Sequence, residues 1–181
     1  MLLDFTLEQV CRLSCIKRWG IIEMQRDQSV AEHSYNVAAI ALMIVDKMAP
    51  DIDDALKSGI LSWSLIHDLP ELVTGDFPTP VKAFISENLA VMERKVFPKY
   101  YQKKTSLNPV AITIVKIADV IDAIQFAERF CIDVRKNDII ASMINELHVL
   151  ARNPGVTHIN EKLIEAINSV WKGERIDSKI I

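Results

Sequence analysis

Between Leu65 and Asp76 the chain reads Leu-Ile-His-Asp-Leu-Pro-Glu-Leu-Val-Thr-Gly-Asp, which places one imidazole (His67) and three carboxylates (Asp68, Glu71, Asp76) within ten residues. They close an apolar run that includes Trp63, Leu65 and Ile66. A bare carboxylate buried beside such a run is costly unless something pairs with it. Imidazole and carboxylate together are good ligands for a divalent first-row metal. Taken alone, the His67-Asp68 dipeptide has a plainer explanation, with Asp68 capping the next turn and His67 satisfied inside the core. Two further residues shift the balance. His33 stands at the start of one apolar stripe and Asp119 in the middle of another. Each of the four needs a partner, and one divalent ion would serve them all.

The elements that must position these residues are helices. A first amphipathic helix is expected from about Thr6 to Arg18, stopped near Gly20. Ser29-Val-Ala-Glu32 is a capping box that starts a helix of roughly eighteen residues. On it, His33 shares a face with Val37, Ile40 and Ile44. A third helix runs from about Asp54 to Asp68, because Pro70 disfavours helical geometry at Leu69. A fourth spans about Val81 to Tyr101, with a break expected at Pro98. Asn108-Pro109 opens a fifth, about Val110 to Asp133, that is apolar nearly all round and therefore central. Two amphipathic helices, about Asp138 to Ala151 and Asn160 to Trp171, finish the chain. No segment alternates with period two. The expectation is an all-α fold of about seven helices in one domain covering residues 1–181.

Composition narrows the function. Half of the 181 residues are hydrophobic and Gly and Pro are few, at 5 and 7. The net charge is −3 without a basic block, which disfavours non-specific nucleic-acid binding. Three cysteines (Cys11, Cys15, Cys131) form neither a disulfide framework nor a zinc ribbon, so a reducing cytoplasm is expected. No apolar run approaches the ~18–20 residues of a membrane span. There is no Gly-x-Ser-x-Gly elbow, phosphate-binding Gly-rich loop or dinucleotide fingerprint.

The motifs Arg18-Trp19-Gly20, Ala31-Glu32-His33-Ser34, His67-Asp68-Leu69-Pro70-Glu71, Thr74-Gly75-Asp76-Phe77-Pro78-Thr79-Pro80-Val81-Lys82 and Lys116-Ile117-Ala118-Asp119 occur in this order. In them the chain resembles the HD-domain phosphohydrolases, above all the bacterial 5′-deoxynucleotidases and small phage deoxynucleoside triphosphate triphosphohydrolases. The resemblance implies a single compact HD-domain helical bundle. It implies that His33, His67, Asp68 and Asp119 hold one divalent ion. Such a mixed nitrogen–oxygen set takes Mn, Co, Fe, Ni or Zn without sharp choice, with Mg a further candidate. It makes Glu71 the general acid/base, against the alternative of a carboxylate on a helix N-terminus. Asp76 is placed near the sugar and scissile phosphate, as a second catalytic group. Arg18, Lys82 and Lys116 become phosphate ligands, although any one alone would more simply be a solvated charge. Trp19 would pack on the ribose and exclude a 2′-hydroxyl, the competing reading being a plain core tryptophan. Ile21 and Ile22 would wall the base, with Pro78 or Pro80 over its other face. An apolar wall there favours adenine over guanine, whose amino group would be left unpaired.

The leading reading is hydrolysis of a dNTP of dATP type to deoxynucleoside and triphosphate. Hydrolysis of deoxynucleoside monophosphates is the alternative. A non-catalytic nucleotide-binding regulatory module is a third, opposed by the intact Glu71 and Asp76. Leftover apolar surface suggests a homodimer or a higher symmetric homo-oligomer. No nucleic-acid or membrane partner is expected. His148 and His158 are expected at the surface, outside the site.

Overall fold

Helix α7 (Pro109–Phe130) is the axis of the molecule. Asn108 caps it by accepting from the Val110 amide at 2.8 Å, and Pro109 occupies its first turn. Its residues are buried on almost every side, from Val110 through Ile114, Ile117 and Ile121 to Ala127, as expected of a helix apolar all round. The structure is a computed structural model and describes residues 4–48, 52–152 and 160–171. Around α7 pack α2 (Val30–Met48), α3 (Asp54–Ile66) and α8 (Lys136–Ala151), and α9 (Asn160–Val170) closes against α2. Val37, Ala41, Ile44 and Val45 of α2 are buried in the shared core. The remaining helices are α1 (Leu7–Cys11), α4 (Glu71–Thr74), α5 (Thr79–Val96) and α6 (Pro98–Thr105). Seven of these helices have eight residues or more, no β-strand occurs among the described residues, and the fold is the expected all-α bundle.

Several boundaries differ from expectation for local reasons. The first helix lasts only from Leu7 to Cys11 and then tightens into a 3-10 turn over Arg12–Cys15. The chain beyond it is pulled into tertiary pairing, with Val30 N donating to Ile16 O and Arg18 N to Gln28 O, both at 2.9 Å. At Ser29 the capping box is half formed. The Ser29 hydroxyl accepts from the Glu32 amide at 3.1 Å, but the Glu32 carboxylate takes Arg26 at 2.6 and 3.0 Å. Pro98 does break the fourth helix, and α5 begins earlier than expected, at Thr79. The new N-terminus at α6 is capped from a distance, because Asp4 Oδ2 accepts from Lys99 N at 2.7 Å and Tyr100 N at 3.2 Å. His148 is half-buried rather than exposed, with Nε2 shielded from solvent. His158 lies outside the described residues.

A candidate metal centre and its cavity

Helix α3 ends at Ile66, and His67 is its C-terminal cap, so His67 and Asp68 project from the turn that leads into Pro70. His67 is held from two sides. Its Nδ1 donates to the Ser64 carbonyl at 2.9 Å, and its own carbonyl accepts from the Tyr100 hydroxyl of α6. Tyr100 in turn packs on Trp63, ring centroids 5.3 Å apart. His33, in the first turn of α2, is wholly buried, and its Nδ1 donates to Asp122 Oδ2 at 2.6 Å. An acceptor at Nδ1 fixes the proton there, so each neutral imidazole presents the lone pair of Nε2.

Those two lone pairs face carboxylates. His33 Nε2 is 3.2 Å from Asp119 Oδ1 and 3.5 Å from Asp68 Oδ2, and His67 Nε2 is 3.3 Å from Asp68 Oδ2. Ligand atoms of His33, His67 and Asp68 all lie within 4.8 Å of one another. Lone pairs aimed at carboxylate oxygens repel unless a cation or a proton lies between them. Burial and Arg18 push the His33 pKa down, but Asp119 and Asp122 outweigh them and it is raised. Burial pushes Asp68 up, yet His67, His33 and Arg18 bring it below the usual carboxylate range. Asp119 is held further down, by His33, Lys116 and Arg18 against its burial. Arg18 supplies a permanent positive charge to both carboxylates, 3.8 Å from Asp68 and 3.9 Å from Asp119, with its side chain largely buried.

Unsatisfied atoms collect here. Among the described residues seven buried side-chain nitrogens and oxygens have no satisfying hydrogen-bond partner, and four belong to this cluster: Arg18 Nε, His33 Nε2, His67 Nε2 and Glu71 Oε2. Native proteins rarely leave such groups unpaired without a ligand to take them. His33 from α2 and His67 and Asp68 from the end of α3 form the convergent group that could hold one divalent ion, and Asp119 of α7 approaches it through His33 Nε2 at 3.2 Å.

Beside the cluster opens a cavity of about 420 Å³ whose walls include His67, Asp68, Glu71, Lys82, Lys116 and Asp119. Glu71, at the start of α4, is buried. Burial pushes its pKa up, Asp68 adds to the rise, and Lys82 opposes it, leaving it at about 8. Lys82 Nζ, on α5, reaches Glu71 Oε1 at 2.8 Å and Asp76 Oδ1 at 3.2 Å. Gly75, at φ +70°, turns the chain between Glu71 and Asp76, a conformation that suits glycine. Lys116 lies 3.3 Å from Asp119 Oδ2, one turn earlier on α7.

The structure joins Arg18, His33, His67, Asp68, Asp119 and Lys116 in one set of contacts and Glu71, Asp76 and Lys82 in a second, and the cavity brings Glu71 and Lys82 beside the first set. Of the sequence-predicted residues, Arg18, Trp19, Ile21, Ile22, His33, Asp76 and Pro78 do not line the cavity. Trp19 is half-buried, stacked on Phe126 at 6.0 Å and bonded through Nε1 to Gln28 Oε1 at 2.8 Å. Its backbone sits at φ +68°, a conformation that costs on the order of 1–3 kcal/mol for a non-glycine residue. Ile21 is exposed, and Ile22 and Pro78 are half-buried. Sequence reasoning missed Asp122, which accepts from His33 Nδ1, and Gln28 and Asn36, which donate to the Asp122 carboxylate. One signal for Asp122 was available, since a second aspartate three residues after Asp119 on so apolar a helix shares its face.

The chain is similar to known proteins. The family described as 5′-deoxynucleotidase YfbR-like matches residues 6–128. A 5′-deoxynucleotidase of Enterobacter sp. (strain 638) is 30% identical over 168 residues, covering 92% of this chain and 83% of that relative. The dATP triphosphohydrolase of Acinetobacter phage SH-Ab 15497 is 28% identical over 131 residues, 65% of this chain and 64% of its own. The match thus spans just under two thirds of that phage relative. In fold, the chain is similar to the cyanophage S-2L HD phosphohydrolase DatZ, solved with dA and one catalytic Zn²⁺ ion. The TM-score is 0.83 over 93% of this chain and 98% of that one, at 22% identity.

Proposed function

The chain belongs to the YfbR-like 5′-deoxynucleotidase family of HD phosphohydrolases, and from that premise we propose that it hydrolyses deoxynucleoside triphosphates of dATP type to the deoxynucleoside and triphosphate. The observation that carries this reading is the buried cluster of His33, His67, Asp68 and Asp119, with both Nε2 lone pairs directed at carboxylates and phosphate-binding cations beside it. These four residues would hold one divalent metal ion. When bound, the ion supplies a Lewis acid that polarises a phosphate oxygen and eases deprotonation of a water. The Zn²⁺ named with DatZ makes zinc one candidate among Co, Mn, Ni, Fe and Mg.

The chain's own residues do the rest. Arg18 offers a planar fork to a phosphate next to the ligand carboxylates, and Lys116 offers a point charge from the facing wall. Glu71 Oε2 is buried and unpaired, and a pKa of about 8 lets the carboxyl both hold and release a proton near neutrality. It takes the proton of the attacking water or delivers one to the departing 5′ oxygen. Lys82 fixes Glu71 and Asp76 relative to each other, so Asp76 is held at the side of the scissile phosphate. Trp19, with Ile21, Ile22 and Pro78, forms the nucleoside side, where the indole crowds C2′ and disfavours ribose. All of residues 1–181 act as one HD domain in this reading.

The reading of a triphosphate over a monophosphate is supported by three lysines on the cavity walls, Lys82, Lys104 and Lys116, which pair with Glu71 and Asp76, with Glu93 and with Asp119 and would exchange these carboxylates for a polyphosphate. A monophosphate would use few of them. Hydrolysis of deoxynucleoside monophosphates is the second reading, supported by the Enterobacter relative, which matches over more of this chain. We further propose that the protein self-associates in the cytoplasm, as a dimer or a larger symmetric assembly, through apolar residues left exposed such as Tyr35 and Met43 of α2. A light-scattering mass near the 20.5 kDa of one chain would refute self-association. The activity is tested by incubating the protein with dNMPs, dNTPs and NTPs in the presence of Mn or Co. The expected result is triphosphate and deoxyadenosine from dATP. Phosphate from dNMPs with dATP untouched would replace the leading reading by the second.

A further inference from the structure

Trp19 and His33 belong to different parts of the proposed site, one reading the sugar and one holding the ion, and two buried side chains connect them. Trp19 Nε1 donates to Gln28 Oε1 at 2.8 Å, and Gln28 Nε2 donates to Asp122 Oδ2 at 2.8 Å. The same oxygen takes His33 Nδ1 at 2.6 Å, and Asn36 Nδ2 donates to Asp122 Oδ1 at 2.8 Å. Gln28 and His33 are both 0% exposed and Asp122 is 3% exposed, so water has no part in the chain of bonds.

The polarity of the chain runs one way only. An indole N–H donates and never accepts, so the Gln28 amide must turn its oxygen to Trp19 and its NH₂ to Asp122. A carboxylate accepts and never donates, so His33 must carry its proton on Nδ1. Each link therefore fixes the next, and the last one directs the His33 lone pair at Asp68 and Asp119. Trp19 also holds a left-handed backbone, which survives only where its surroundings over-determine it. The bond to Gln28, the stack on Phe126 and the Arg18 N to Gln28 O bond at 2.9 Å supply that determination.

We infer that Asp122 and Gln28 are positioning residues that tie the placement of the sugar-reading Trp19 to the orientation of the metal-holding His33. The inference rests on the proposed roles of those two residues. Gln28 is 0% and Asp122 3% exposed, so neither reaches the substrate and both act through the residues they bond. Losing the partner of a ligand imidazole typically weakens a metal site by about 10- to 100-fold. Freeing the indole should lower the preference for deoxy over ribo substrate without removing the tryptophan.

The test uses metal-stripped full-length protein, with Co²⁺ affinity read by calorimetry, folding by thermal melting, and the dATP/ATP ratio of kcat/KM at saturating Co²⁺. Asp122→Asn keeps shape and removes charge. Gln28→Met keeps length and breaks the link, leaving the Asp122–His33 bond in place. Expected are Co²⁺ binding 10- to 100-fold weaker in Asp122→Asn, and in Gln28→Met a dATP/ATP ratio several-fold lower with a smaller loss of affinity. Asp122→Asn binding Co²⁺ within two-fold of the parent overturns the role assigned to Asp122. An unchanged ratio in Gln28→Met overturns the link to Trp19. If Asp122→Asn does not melt cooperatively, Gln28→Met decides alone, and parental affinity and ratio together overturn the inference. His33→Ala and Trp19→Ala separate this from failure of the underlying roles: full Co²⁺ affinity in the first, or an unchanged ratio in the second, removes the premise along with the inference.

Discussion

The two imidazoles of the cluster live in unlike surroundings. His33 comes from the first turn of a nineteen-residue helix and faces Asp122 of α7, whose two carboxylate oxygens are taken by His33, Gln28 and Asn36. His67 comes from a helix end followed by a turn, Pro70, a four-residue helix and a left-handed glycine. On the α2–α7 side the Asp122 carboxylate takes three direct hydrogen bonds, those from His33 and Gln28 buried and that from Asn36 part-buried. On the α3–α5 side Glu71 keeps one oxygen unpaired, Lys82 is substantially exposed, and the cavity opens. The contrast separates two demands on a phosphohydrolase site. Ligands need fixed directions, which packed helices provide. Proton transfer and phosphate exchange need access and an unspent bond, which a turn and a short helix provide.

The sharpest way to break the contrast is to remove a ligand. His67→Ala or Asp68→Ala should take both bound metal and turnover to background, by elemental analysis and product release. Full metal occupancy in His67→Ala would mean that the open side contributes no ligand at all. Glu71→Gln should behave otherwise, retaining the metal while kcat falls by roughly 10²–10⁴-fold, the usual weight of a general acid/base. Equal losses of metal and turnover in Glu71→Gln would erase the distinction between holding and reacting.

A smaller effect is expected at the nucleoside side. Trp19→Ala should raise activity toward ATP and lower it toward dATP, and Ile21→Ala should admit dGTP. Exclusion by one side chain is worth about 10–200-fold in kcat/KM. If both ratios stay at parental values, Arg18–Ile22 serves packing only.

How much of this was legible in the sequence depended on what each residue answers to. The apolar surround of α7 and its cap at Asn108 were, because periodicity and capping are local. The residues of the cluster stood out as polar groups on apolar helices, and the resemblance supplied an order for them. Partners drawn from elsewhere in the chain were not legible. Glu32 was expected to reach back to its own N-cap and instead pairs with Arg26, which also lies over the Phe126 and Phe130 rings at 4.8 and 4.3 Å. Asp4 capping α6, and Gln28 meeting Asp122 across 94 positions, depend on how helices pack and leave no spacing to read. Left-handed Trp19 runs against its intrinsic preference, so local rules place it wrongly.

The smallest expected effect concerns pH. In the metal-free protein the Glu71 pKa is raised to about 8 in the folded state. A raised pKa means the native state binds the extra proton, so this contribution to stability is complete below the unfolded value near 4.5 and is lost as pH rises through about 8. Metal-stripped parent should therefore lose more Tm between pH 5.5 and pH 8.5 than metal-stripped Glu71→Gln. Parallel Tm profiles would show that the open side carries no strained carboxyl.

The account turns on one ion held between the closed and the open side, and diffraction at a metal absorption edge tests that directly. Crystals of the protein loaded with Co²⁺ or Zn²⁺ should give a single anomalous peak per chain. It should lie about 2.0–2.2 Å from Nε2 of His33, Nε2 of His67 and one oxygen each of Asp68 and Asp119. A peak bound through Nδ1, a peak that leaves out either histidine, or no peak in this cluster would contradict it.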